Sequence, residues 1–215
     1  MSVTLLDGLP TAQRLAVSYA DKGSRAATLA LLALDAGLAA ILRGRREPIA
    51  AQLRLAWWRE RLGEPPAAWP AGEPVLEALR AWRDPSPLAV LSDGWEALLA
   101  ERLTAEIAGE FIEARAQAFA GLAREVATGA EEAAAGAGRL WAAGDLAANL
   151  SDPAERQVAL DLGLWLPPAR PLPRALRPPA VLATLGARAL RRGGGPLLDG
   201  PGAALLALRT GLTGR

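Results

Sequence analysis

The chain has 215 residues, 51% hydrophobic and 22% charged, enough for a single domain with a real core and too apolar for a disordered segment. The net charge is +1, which argues against a globally basic nucleic-acid binder. With neither Cys nor His, the chain has no disulfide, no thiol nucleophile, no Ser-His-Asp triad and no thiolate- or imidazole-held zinc. Any metal would have to be a hard cation on carboxylates.

Strand signals are nearly absent, and apolar residues recur at three- and four-residue spacing. The pattern predicts helices over 11–20, 25–43, 48–62, 73–83, 88–106, 108–128, 131–150, 154–163, 178–192 and 201–210. Breakers mark the limits: Pro10, the 44–48 and 63–74 stretches, Asp84 to Pro87, Gly129, Asp152 with Pro153, and Gly193 to Pro196. Six prolines between Trp165 and Pro179 predict an extended surface loop. The expected architecture is one all-α domain over 1–215, with a Pro/Arg-rich C-terminal region from about residue 165. Met1 to Asp7 has no basic, then apolar, leader pattern, so a cytoplasmic protein is expected.

The run Ala26 to Leu42 is apolar nearly all round, as suits a central helix. It falls short of the ~20 residues of a membrane span and contains Asp35. Ala30, Ala33, Gly37 and Ala40 cluster on one side, where a neighbouring helix is expected to approach closely. Asp35, among Leu31, Leu38 and Leu42, needs an Arg partner, a metal or water. A structural Asp–Arg pair and a functional cavity acid both fit.

The next helix carries Gln52, Arg54, Trp57, Trp58 and Arg59. Trp57 extends the face of Ile49 and Leu53, whereas Trp58 lies about 100° away with Leu55 and Leu62. Both faces are expected to be covered, with the tryptophans anchoring two different neighbours in the bundle centre. Arg54, between them, is expected to meet an anion or carbonyls.

Farther along, Asp145, Asn149 and Asp152 fall at i, i+4 and i+7 on one helix face, which could hold Mg²⁺. Asp152 before Pro153 equally reads as the N-cap of the next helix. Residues 165–215 hold eight Arg and one Asp, so the +1 of the whole chain divides into +7 there and −6 before it. That basic end is either a solvated surface or a footprint for phosphates. Leu182, Leu185 and Leu190 are expected to supply an apolar side to it, and Arg188, Arg191 and Arg192 a salt-sensitive attraction to anionic lipid.

Several segments together resemble the squalene/phytoene synthase family. They are Arg25 to Asp35, Arg46 to Ile49, the Gln-x-Arg-x-x-Trp-Trp-Arg run from Gln52 to Arg59, Glu73 to Leu79, Leu91 to Glu96 with its Asp93, Gly138 to Trp141, and Leu172 to Pro178. The tryptophan pair is similar to the branch that includes a mitochondrial respiratory complex I assembly factor. The resemblance implies an isoprenoid-synthase-like helical bundle around a central cavity, in which active members join two prenyl diphosphates using Mg²⁺ on two Asp-rich motifs. The first motif's acids would fall at Ala39, Ala40 and Arg43, and are missing here. The second would fall near Asn149 and Asp152 or Pro153, with Asp145 where the family has an amide. The resemblance therefore implies a catalytically degenerate member, with Asp35, Arg43, Arg54, Trp57, Trp58 and Asp93 as cavity candidates. It would bind a prenyl lipid or diphosphate, or serve respiratory-complex assembly at the inner face of a membrane. An active Mg²⁺-dependent head-to-head prenyl transferase is the alternative.

Overall fold

The computed structural model describes residues 2–44 and 48–214. Arg46 and Glu47 of the family-like segment, and Arg215 of the basic end, lie outside the described residues. Among the described residues there are eleven α-helices and no strand. They are α1 (Ser2–Asp7), α2 (Thr11–Ser18), α3 (Arg25–Arg43), α4 (Pro48–Gly63), α5 (Pro74–Leu79), α6 (Ala89–Ala97), α7 (Ala105–Val126), α8 (Glu131–Asn149), α9 (Pro153–Leu164), α10 (Arg177–Arg191) and α11 (Gly200–Thr213). Short 3₁₀ turns precede α5, α6 and α10.

The centre is built on α7 and α8, with α10 packed on the other side of α8. Small residues make this possible. A β-carbon on Gly144 of α8 would collide with the backbone of Gly186 of α10, and one on Gly186 would strike Leu140 and Trp141. A β-carbon on Gly138 would lie 2.8 Å from the α-carbon of Ala116 on α7. These glycines set the α7–α8–α10 spacing, which the larger residues of the layer then fill. Phe119 and Trp141 stack between α7 and α8 with centroids 5.2 Å apart.

Helix α3 lies against α5, α6 and α7 and buries Leu31, Leu32, Leu34 and Leu38 almost completely. It is long and apolar enough to cross a membrane by length and composition, yet 61% of that window is buried inside the protein. Of the four small residues expected to give a close approach, Ala30 and Ala33 are buried, but the Gly37 and Ala40 end is not covered. Ala40 is exposed, and a β-carbon on Gly37 would meet nothing within 4 Å.

The observed helices depart most from the sequence pattern at three places. α1 was not foreseen, and α5 stops at Leu79. The continuous helix expected over 88–106 ends at Ala97, and α7 begins at Ala105. No Gly or Pro causes that break. Thr104 caps α7 by accepting from the Ile107 N–H (3.3 Å), and Glu155, far along the chain, accepts from the Leu103 N–H (2.9 Å). These acceptors satisfy backbone donors that a continued helix would have used. The proline-rich stretch is irregular only up to Pro173; Pro178 and Pro179 are buried in the first turn of α10.

Helix α4 is an outer helix. It packs chiefly on α6, tied there by Arg59, whose Nη1 lies 3.0 Å from Asp93 Oδ1 and 2.8 Å from Glu96 Oε2. Only its Leu55 and Leu62 side is buried. The Ile49, Leu53 and Trp57 face expected to be covered is open, at 72, 67 and 37% exposure. Trp58 is half-buried against the core, and Trp57 packs edge-on against Trp58 (5.1 Å) rather than on a different helix. Both faces of this helix are apolar, so periodicity alone does not say which one is buried.

Candidate functional site

The site is organised by Arg115, a residue the sequence reading passed over. It lies on α7 midway between Phe111 and Phe119, so the four-residue spacing places it on the apolar face. That is the signal by which it was legible. Its side chain is 2% exposed. Nε donates to Asp35 Oδ1 (2.9 Å) and Nη2 to Asp35 Oδ2 (2.8 Å), a two-point clasp across α3 and α7. Nη1 donates to Asp145 Oδ2 on α8 (2.7 Å). One guanidinium thus joins three helices.

Aromatic rings enclose the cation. Its central carbon sits 4.0 Å from the Trp141 ring centroid, 4.7 Å from that of Phe111 and 5.0 Å from that of Trp95. Trp95 also donates from Nε1 to Asp35 Oδ1 (3.0 Å), and Gln13 Nε2 lies 3.5 Å from Asp35 Oδ2. Burial opposes the charge on Arg115, but Asp35 and then Asp145 more than offset it, and its pKa is raised above the usual arginine range. Asp35 is therefore half of a buried ion pair, and its partner comes from 80 residues away.

Asp145 marks the boundary between this cluster and a cavity of about 1070 Å³. Its side chain is 21% exposed. Asn149, one turn on, donates to Asp145 Oδ1 (3.1 Å) and to the Asp145 carbonyl (2.8 Å). The wall continues through Ala39 and Arg43 of α3, the 98–103 segment, and Ile107 and Phe111 of α7. The unforeseen break between α6 and α7 is thus what builds one side of the cavity. Two carboxylates against one guanidinium leave the cluster with a formal charge of −1.

The structure brings together Asp35, Arg43, Asp145 and Asn149 at this cavity and its inner wall, and leaves the other candidates outside. Arg54 is exposed on the outer side of α4, because α4 is covered on one side only. Trp57 and Trp58 lie on that same peripheral helix and do not line the cavity. Asp93 faces outward to Arg59. Asp152 caps α9, with Oδ1 accepting from the N–H groups of Ala154 (2.8 Å) and Glu155 (3.0 Å).

These residues do not fit Mg²⁺. Both oxygens of Asp145 already accept hydrogen bonds, one from Arg115 and one from Asn149. Asp152 is committed to its cap, and among the described residues no group of three or more Asp, Glu, His or Cys gathers to hold a metal. A divalent ion at Asp145 would also sit beside the Arg115 cation.

Comparison of the chain with protein-family models, with curated proteins and with solved structures gives no match.

Proposed function

We propose that this chain is a non-catalytic binding protein of the squalene/phytoene synthase type, holding the apolar tail of a prenyl lipid in its central cavity. The observation that carries the reading is the Arg115 clasp. Where metal-dependent ionisation of a diphosphate requires free carboxylates, the inward-facing acids here are already engaged by a protein cation. Metal ions are what stabilise the charge of a departing diphosphate, and ~4 kcal/mol of lost stabilisation is already about a thousandfold in rate.

Two features support a lipid as occupant. The cavity volume lies just above the ~300–1,000 Å³ of small-molecule sites, roomy enough for a long chain. Its wall is apolar over Ala36, Ala39, Leu42, Ile107 and Leu146. Polar groups line the rest of it: Arg43, Asp145 and Asn149, with Gln13, Glu101, Arg102, Arg115 and Glu155. The alternative transferase reading would need Arg43 and a single ion to replace two metal-binding motifs. The respiratory-complex role that the resemblance implies would use the open face of Ile49, Leu53 and Trp57 on the tryptophan-pair helix.

The test is native mass spectrometry of the full chain with geranylgeraniol and farnesyl diphosphate, with and without Mg²⁺. The reading expects one prenyl chain bound per protein without metal. It also expects loss of binding in Ala148→Trp, a half-buried wall position whose new ring would occupy the cavity. Absence of prenyl binding under all conditions would refute it.

A further inference from the structure

Helix α11 buries its small residues and exposes its large ones. The face against α10 and α2 carries Ala203, Ala207, Thr210 and Gly211, all buried. Gly211 is packed against the ring of Tyr19, which leaves no room for a side chain there. The outer face carries Leu205, Leu208 and Leu212, exposed at 68, 46 and 69%. Their three- and four-residue spacing sets them in one stripe two turns long. A single exposed leucine needs no explanation. Three in a stripe, on a helix whose inner contacts are made by alanine and glycine, have no role in holding the helix down.

The charge around the stripe is mainly positive. Between Gly200 and Thr213 there is no acidic residue, and Arg209 is exposed beside the leucines. At the first end of α11, Arg188 Nη2 donates to the Asp199 carbonyl (2.8 Å), and Arg192 Nη2 lies 3.3 Å from Asp199 Oδ2. That aspartate is the only acid in the last 51 residues. At the other end, Arg177 reaches the Thr210 carbonyl (3.4 Å), and Leu172 lies beside Gly214. This contact brings the loop bearing the exposed Arg170 and Arg174 to that end.

We propose that α11 is an in-plane anchor for an anionic lipid surface. The leucines enter the boundary between headgroups and acyl chains, and the exposed Arg209, Arg192, Arg170 and Arg174 meet lipid phosphates. A second copy of the chain is disfavoured as occupant, because the same positive rim would face itself. The apolar side expected on α10 is not available for this role: Leu182 and Leu185 are fully buried in the core. The anchor requires nothing of the central cavity, so either proposal can fail alone.

The experiment is flotation of the full chain with vesicles of phosphatidylcholine alone or mixed with phosphatidylglycerol. Recovery is expected on the anionic vesicles and little on the neutral ones. It should fall as salt shortens the Debye length from about 10 Å at 0.1 M towards about 3 Å at 1 M. Replacing Leu205, Leu208 and Leu212 together by Gln should lower partitioning at least about tenfold, and Arg209→Gln about fivefold. Because all four side chains point outward, far-UV circular dichroism and the melting temperature should not change. Equal recovery on both vesicle types, recovery on neither, or a leucine variant that floats like the parent would overturn the proposal. A lipid-free dimer dissolved by the leucine variant would overturn it too, by assigning the stripe to a second copy.

Discussion

Arg115 and Asp35, 80 residues apart in sequence, meet through two parallel N–H···O bonds of 2.9 and 2.8 Å in the fully buried centre of the protein. Removing Arg115 leaves Asp35 as an unpaired buried charge, which costs about 3–5 kcal/mol, whereas removing Asp35 leaves Arg115 its bond to Asp145. In urea titrations Arg115→Leu should destabilise by that amount and Asp35→Leu by less. The double variant should recover part of the Arg115→Leu loss, since it no longer buries an unpaired charge at position 35, while Asp145, 21% exposed, is left to solvent. Additive losses would mean the two side chains do not act as a unit.

The glycine contacts predict opposite signs at different positions. Gly144→Ala and Gly186→Ala force a methyl into facing backbone and should cost at least about 1–3 kcal/mol. Gly37→Ala, inside α3 with open space around the new carbon, should stabilise by roughly 0.5–1 kcal/mol. Thermal melts of the three variants check both signs together.

Asp152 separates a cap from a ligand. As the N-cap of α9, its replacement by Ala should cost about 0.5–2 kcal/mol and leave prenyl binding unchanged. A loss of ligand affinity at constant stability would return Asp152 to the site.

Asp21 gives the acid dependence a sign. Its carboxylate accepts from the Ser24 Oγ–H and N–H, both at 2.8 Å, and these bonds hold its pKa below the usual range. A depressed folded-state pKa contributes stability that is complete above the unfolded value of about 3.9 and disappears as pH falls through the folded one. The difference in urea midpoint between the parent and Asp21→Ala should therefore be constant at neutral pH and shrink below about pH 4.

The all-helical architecture was legible because helical spacing and breakers agree over most of the chain. α3 and α8 were placed within a residue of their observed ends. What was not legible depends on long-range partners. The stop after Ala97 needs Glu155, and the burial of one α4 face needs α6. Asp35 was readable as a buried acid in want of a partner, but which arginine supplied it was not, because 23 arginines compete in the composition. The Phe111, Arg115, Phe119 spacing singles one out once α7 is known to be buried on that face. Arg54 misled for the converse reason: an arginine between two apolar faces is sheltered only when both faces are covered.

The proposed prenyl-binding role turns on the Arg115 clasp, which engages the carboxylates that metal-dependent chemistry would need free. The most direct measurement incubates the purified chain with farnesyl and geranylgeranyl diphosphates and Mg²⁺, and assays both released pyrophosphate and any C30 or C40 hydrocarbon. The account predicts prenyl binding that is indifferent to Mg²⁺ and no release above the protein-free rate. Mg²⁺-dependent release of pyrophosphate, abolished by Asp145→Asn, would contradict it.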